Sequence, residues 1–174
     1  MTRRSPRQNL GASTLGIHGG APPLREGEPV IPSIVQSSTF AGEGRTDELR
    51  YTRYFNNPLQ EQVALKLALL DGAEASLVLG SGMAAIAMTL LTLTQAGDHI
   101  VASSHLYGAT RSFMENELPR RGVPTPFVDP SEGREWRQAL MKRTRVLYLE
   151  APTNPTLRVF DPAPVAQLAQ DVGT

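Results

Sequence analysis

The chain has 174 residues, 40% of them hydrophobic, with 17 basic and 17 acidic side chains and a formal net charge of zero. That length builds one domain with a sizeable core, and the charge balance gives no reason to expect nucleic acid or an anionic membrane surface as a partner. The absence of cysteine excludes disulfides, thiolate nucleophiles and Cys-based zinc sites and suits a reducing, cytoplasmic compartment, and no apolar run approaches the ~20 residues that span a bilayer.

The first ten residues carry Arg3, Arg4 and Arg7 without an acid and lack the apolar stretch of a secretory signal. A disordered tail is favoured there over a transit peptide. Up to about residue 50 no helical period is strong, and Gly19-Gly20, Pro22-Pro23, Pro29, Pro32, Gly42 and Gly44 interrupt the chain repeatedly. Ile31 to Phe40 reads as extended. Such a segment buries little alone, so it is expected to be an arm lying on another surface, which favours an oligomer.

At Asn57-Pro58 the pattern changes. Asn suits a helix N-cap and Pro the first helical position. Leu59, Val63, Leu67 and Leu70 then mark one face of a helix, and Asp71-Gly72 ends it. Ala75 to Leu79 reads as a short buried strand, and Ser81 to Gln95 as a helix apolar over most of its surface and therefore well covered. Ile100 to Ser103 is a second strand, and Thr110 to Leu118 a helix stopped by Pro119 and Gly122. Val123 to Val128 is a strand that Pro124 and Pro126 confine to an edge. Glu132 to Lys142 is an amphipathic helix, Val146 to Leu149 a fourth strand, and Asp161-Pro162 opens a last helix running to Thr174. This alternation predicts an α/β fold, a parallel sheet with helices on both faces. A layer of this kind that stops on a helix is expected to be truncated.

Ligands of such sheets bind at the carboxyl ends of the strands, where three stretches fall. In Gly80-Ser81-Gly82-Met83, Ser81 is placed to cap a helix whose first-turn N–H groups and dipole attract a phosphate; an ordinary capped turn has the same pattern. The run Gly80 to Ala85 also fits the dinucleotide pattern G-x-G-x-x-A, but the next strand ends at Ser103-Ser104 without the acid that would hold a ribose. In Ser104-His105-Leu106-Tyr107, Tyr107 is placed to present its ring to a flat ligand. His105 stands alone and predicts no metal. In Glu150 to Pro155, two prolines stiffen the backbone around the amide of Asn154. Earlier, Arg53 lies between Tyr51 and Tyr54, a planar fork suited to phosphate, or a solvated loop.

Together these stretches resemble the family of cystathionine synthases, cystathionine lyases and methionine lyases. Six elements match in order: Ile17-His18-Gly19-Gly20, Pro32 through Ser37-Ser38-Thr39-Phe40, Tyr51-Thr52-Arg53, Ser81 to Ala85, Leu106 to Thr110, and Glu150 to Pro155. The resemblance implies a fold-type-I, aspartate-aminotransferase-like enzyme carrying pyridoxal 5'-phosphate. It acts on sulfur amino acids by β or γ elimination or replacement. By the same resemblance the N–H groups of Gly82 and Met83 hold the cofactor phosphate, and Tyr107 stacks on its ring. Asn154 touches the ring hydroxyl and the substrate carboxylate, and Tyr51 and Arg53 reach the phosphate of a neighbouring subunit. Residues 1–55 would then be the arm and inter-subunit segment, residues 56–174 the first part of the cofactor-binding large domain, and the complete protein a homo-oligomer, a dimer of dimers.

The match has departures. One residue more than usual separates Arg53 from Pro58, which implies a shifted loop behind the phosphate clamp. Ala109 replaces the Cys usual in methionine lyases. The family's Asp-Asn-Thr and Ser-x-Thr-Lys segments, with the acid that pairs with the ring nitrogen and the lysine that forms the Schiff base, do not occur, and against 15 Arg the chain has only Lys66 and Lys142, both expected to be solvated. The chain alone is therefore expected to be inactive. The alternatives are a non-catalytic fragment that associates with a full-length relative, and a dinucleotide-binding module.

Overall fold

The computed structural model describes residues 10–21, 24–42 and 49–174. The basic tail, Pro22-Pro23 and Gly44 lie outside the described residues. The chain divides into two compact units, residues 1–78 and 79–174.

The first unit holds α1 (Ala12–His18) and α2 (Pro58–Leu70), with a 3-10 turn at Thr52–Tyr54 between them. The helix α1 falls in the stretch where no helical period is strong. It is only seven residues long, too short to show a period, and it packs on α2. As expected, Asn57 and Pro58 start α2. The Asn57 side chain accepts the Leu59 N–H, Gln60 reaches back to the Asn57 N–H, and Pro58 occupies the first turn. Gly72 takes the left-handed conformation after it, with φ 63°.

Asn57 also reaches the arm. Its buried amide donates to the carbonyls of Val35 and Ser37, each at 3.3 Å. The Thr52 N–H donates to Ser38 O at 2.9 Å, and Thr39 bridges Tyr51 in antiparallel fashion. Removing Asn57 costs the cap, about 1 kcal/mol, and leaves two carbonyls short of a donor, about 1 kcal/mol or more. An Asn57→Ala chain is expected to lose roughly 2 kcal/mol in this unit, read as faster hydrogen exchange throughout α2 by mass spectrometry.

The apolar face of α2 is not buried. Val63, Leu67 and Leu70 are exposed while Ala68 is covered. Val30, Ile31 and Ile34 of the arm are about 80% exposed, at 81, 78 and 82%. Beside them an open apolar groove of about 540 Å³ is lined by Leu24, Val30, Pro32, Val35, Leu59 and Leu65 among others.

The second unit is a parallel three-stranded sheet of β1 (His99–Ser103), β2 (Phe127–Val128) and β3 (Thr144–Tyr148), in the order β2-β1-β3. Its helices are α3 (Gly82–Leu93), α4 (Gly108–Asn116), α5 (Gly133–Ala139) and α6 (Ala163–Val172). Successive side chains of β1 point to opposite faces. Ile100 and Ala102 join Leu90 of α3, Met114 of α4, Leu118 and Val123 on one side. Val101 joins Val128, Trp136 of α5, and Val165 and Leu168 of α6 on the other. Helices thus cover both faces, as expected.

Two expectations are corrected here. Residues 75–79 form no strand among the described residues, and Leu77 is 61% exposed. A strand exists only through its neighbours, and β1 already has β2 and β3 on its two sides. The helix α3 is not well covered: Leu90 is buried, but Met88, Leu91 and Leu93 are exposed. The edge position of β2 agrees with its prolines. N–H groups of Ile100, Ala102 and Ser104 donate to the carbonyls of Pro124, Pro126 and Val128. Pro124 and Pro126 have no N–H to return, so regular pairing is limited to residues 127–128.

His99 starts β1 and is 1% exposed, with Nδ1 3.0 Å from Thr144 Oγ1. Thr144 Oγ1 also accepts the Met141 N–H at 2.9 Å, which leaves its own proton for the imidazole. Burial, aided by the Arg143 charge, lowers the His99 pKa from its ordinary value. A group lowered in the folded state keeps its full stability contribution above the unfolded value, near 6.5, and loses it as pH falls below. Urea melts of the chain are therefore expected to show lower stability at pH 5.5 than at pH 7.5. A His99→Gln chain is expected to lose most of that pH dependence.

Candidate functional site

At the start of α3, Ser81 is extended (φ −163°, ψ 162°) and its Oγ accepts the Ala84 N–H at 3.1 Å. Ala85 N–H donates to Ser81 O at 3.0 Å, closing the first helical turn. The Gly82 and Met83 N–H groups are first-turn donors that an α-helix cannot satisfy internally. A Cβ at Gly80 or Gly82 would meet no atom within 4 Å, and Ser81 and Gly82 are exposed while Met83 is half-buried. Two donors without a partner among the described residues, at the positive end of a twelve-residue helix, fit a phosphoryl group.

The beginning of α4 lies against this turn. Thr110 is fully buried in the first turn of α4, and its Oγ1 lies 3.9 Å from Met83 Sδ. Tyr107 is the N-cap residue of α4, and its side chain makes no cap bond. Tyr107 is 44% exposed, and its ring offers a flat apolar surface. The Tyr107 N–H donates to Glu150 Oε2 at 2.7 Å, and Tyr148 Oη donates to Glu150 Oε1 at 3.0 Å. Burial, then the charge of Glu150, raises the Tyr148 pKa well above the usual tyrosine range, so the phenol stays a donor.

The third stretch follows β3. Asn154 is exposed, and no hydrogen bond holds its side chain among the described residues. The loop is fixed less by proline stiffness than by Thr153, which is 1% exposed. Thr153 N–H donates to Arg158 O at 2.9 Å, and its Oγ1 receives the Arg158 N–H at 3.0 Å and lies 2.8 Å from Thr156 Oγ1. The peptide bonds before Pro152 and Pro155 are both cis.

His105 links this loop to the end of β1. Its Nδ1 lies 3.1 Å from Ser104 Oγ and its Nε2 3.0 Å from Arg158 Nη1. A guanidinium only donates, so Nε2 accepts and the proton sits on Nδ1. The imidazole is a structural link, and among the described residues no cluster of metal-type ligands occurs.

In the first unit, Tyr51 and Tyr54 meet edge to face with centroids 5.4 Å apart. Asn56 braces this turn by accepting the Tyr51 N–H and donating to Leu49 O, both at 2.8 Å. Between Arg53 and Pro58, Phe55 adopts the left-handed conformation, with φ 59°. Arg53 is exposed, and no carboxylate pairs with it among the described residues. Lys66 is not simply solvated: Nζ donates to Ile17 O at 3.1 Å. Lys142 lies just before β3, at the amino end of a strand whose carboxyl end carries Glu150.

The structure therefore brings together the turn at Gly82 and Met83, the start of α4 at Tyr107, and the loop after β3. Nothing in the one-dimensional pattern assigns Glu150, Tyr148 or Thr110 a role. The available signal is an acid at the carboxyl end of a strand beside the Tyr107 loop.

Comparison with known proteins identifies relatives of the chain. The chain is 39% identical over 169 residues to an L-methionine gamma-lyase of Fusobacterium nucleatum, covering 91% of this chain and 42% of that protein. It is 32% identical over 166 residues to a probable cystathionine gamma-synthase of Herpetosiphon aurantiacus, covering 95% of this chain and 52% of that protein. The crystal structure of metB from Corynebacterium glutamicum superposes with a TM-score of 0.86 at 31% identity, over 94% of this chain and 43% of that one. The chain thus spans about half or less of the length of these relatives. The family model for Cys/Met metabolism PLP-dependent enzymes matches residues 13–174, and the chain belongs to that family, whose cofactor is pyridoxal 5'-phosphate.

Proposed function

We propose that the protein acts on a sulfur amino acid by β or γ elimination or replacement, and that this chain supplies the phosphate cup, the stacking ring and part of the substrate site. The observation that carries the reading is the pair of N–H groups at Gly82 and Met83 that have no partner among the described residues, with Met83 in contact with the first turn of the helix that Tyr107 precedes. Pyridoxal 5'-phosphate, when bound, supplies an electron sink that makes loss of the substrate α-proton feasible. The chain's own residues bind and orient. Gly82 and Met83 donate to phosphate oxygens, and the helix dipole adds to the attraction. The Tyr107 ring covers one face of the pyridine. Asn154, with donor and acceptor on one side chain, serves the ring hydroxyl and the substrate carboxylate.

Residues 1–55 act as an arm and 56–174 as the first part of the large domain. Tyr51 and Arg53 serve the phosphate of a neighbouring subunit, so the active unit is at least a dimer, within a cytoplasmic homotetramer. The exposed Val30, Ile31 and Ile34 support a partner for the arm. Lys142 stands at the wrong end of β3 to reach the site, one strand length or roughly 15 Å away. The 174-residue chain by itself is accordingly inactive and holds the cofactor without a covalent bond. A fragment that joins a full-length relative remains the second reading, favoured by the exposed apolar faces of α2 and α3.

Thermal unfolding of the 174-residue chain tests the assignment. Pyridoxal 5'-phosphate is expected to raise the melting temperature and a nicotinamide dinucleotide to leave it unchanged. Stabilisation by the dinucleotide alone would overturn the reading.

A further inference from the structure

Glu150 has no assigned role, yet its side chain ties the Tyr107 backbone to the end of β3. We infer that Glu150 is a positioning residue for Tyr107: its carboxylate anchors the Tyr107 N–H and so sets where the ring is held against the cofactor. The inference rests on the cofactor reading above.

The geometry is specific. Tyr107 is a helix N-cap residue without a side-chain cap, so its loop has no anchor of its own at that point. Glu150 Oε2 provides one at 2.7 Å from the Tyr107 nitrogen. A carboxylate acceptor makes this bond short and charge-assisted, and its negative charge stands at the favourable end of the α4 dipole. The other oxygen, Oε1, is held by Tyr148 Oη at 3.0 Å, which stops the carboxylate from rotating away. Tyr148 is partly buried against the first core cluster, with Thr110 beside its phenol. Thr110 in turn contacts Met83. One chain of contacts therefore runs from the amide turn at Met83 through Thr110, Tyr148 and Glu150 to the backbone of Tyr107. A ring leaves the backbone at Cα, so fixing the adjacent nitrogen fixes the origin of the ring.

A merely structural Glu150 would weaken everything at this end of the sheet alike. A positioning Glu150 affects ligands that use the ring and spares those that use only the amides. Binding of pyridoxal 5'-phosphate and of inorganic phosphate to the 174-residue chain separates the two. Glu150→Ala is expected to weaken pyridoxal 5'-phosphate about tenfold and phosphate by less than about twofold, the size of one lost charge-assisted bond. Tyr107→Ala is expected to do the same, and the double variant to lose no more than either single one. Additive losses, or equal losses for both ligands, overturn the inference.

A ligand-free measurement accompanies it. Hydrogen exchange at the Tyr107 amide is expected to accelerate at least about tenfold in Glu150→Gln and Glu150→Ala, with Gly82 and Met83 unchanged. No acceleration overturns the anchor whatever the binding data show. Acceleration in a chain that binds no pyridoxal 5'-phosphate supports the anchor and overturns the cofactor reading instead.

Discussion

A Gly82→Pro chain is expected to fold normally and to bind pyridoxal 5'-phosphate about 10- to 150-fold more weakly, the worth of one hydrogen bond to a charged group. The substitution deletes a single N–H and little else. Proline is well tolerated at the first helical position, and the residue before it must be extended, as Ser81 already is. No atom lies within 4 Å of the position where a Cβ would stand. The Ser81 cap to Ala84 does not involve residue 82. Titration of the cofactor followed by its absorbance reads the loss, and circular dichroism checks that the helix content is kept. Unchanged affinity in a folded Gly82→Pro chain would remove the phosphate from this helix.

Trp136→Ala is expected to cost about 3–5 kcal/mol in the second unit. Trp136 is 1% exposed and sits among Val101, Val128, Val165 and Leu168, so its loss leaves a cavity on the face of the sheet that α5 and α6 cover. Domains are stable by only about 5–15 kcal/mol, so this single change removes a large share. Trp136→Phe is expected to cost much less, about 1–2 kcal/mol. The indole Nε1 is buried with no acceptor among the described residues, so phenylalanine forfeits volume but no hydrogen bond. As the only tryptophan, its replacement abolishes the fluorescence signal, and urea unfolding is followed by far-ultraviolet circular dichroism.

Local chemistry was legible and pairing was not. The caps at Asn57 and Ser81 act within three residues, so their pattern states their structure. The alternation of Ile100, Val101 and Ala102 between two helix layers likewise follows from the strand period. Residues 75–79 have the composition of a strand, but a strand is made by a neighbour, which composition does not name. The apolar row on α2 identifies a face without naming its cover, and on α3, expected to be well covered, Met88 and Leu91 stand exposed. The same limit hid the anchor on Tyr107, since Glu150 lies 43 residues away in sequence. The helix α1 was missed because seven residues hold barely two turns of period.

The most direct test of the account is an amide spectrum of the nitrogen-labelled 174-residue chain during titration with pyridoxal 5'-phosphate. The largest saturable shifts are expected at Gly82 and Met83, with Tyr107 next. Shifts concentrated elsewhere, or none at saturating cofactor, would contradict the placement of the phosphate at the start of α3.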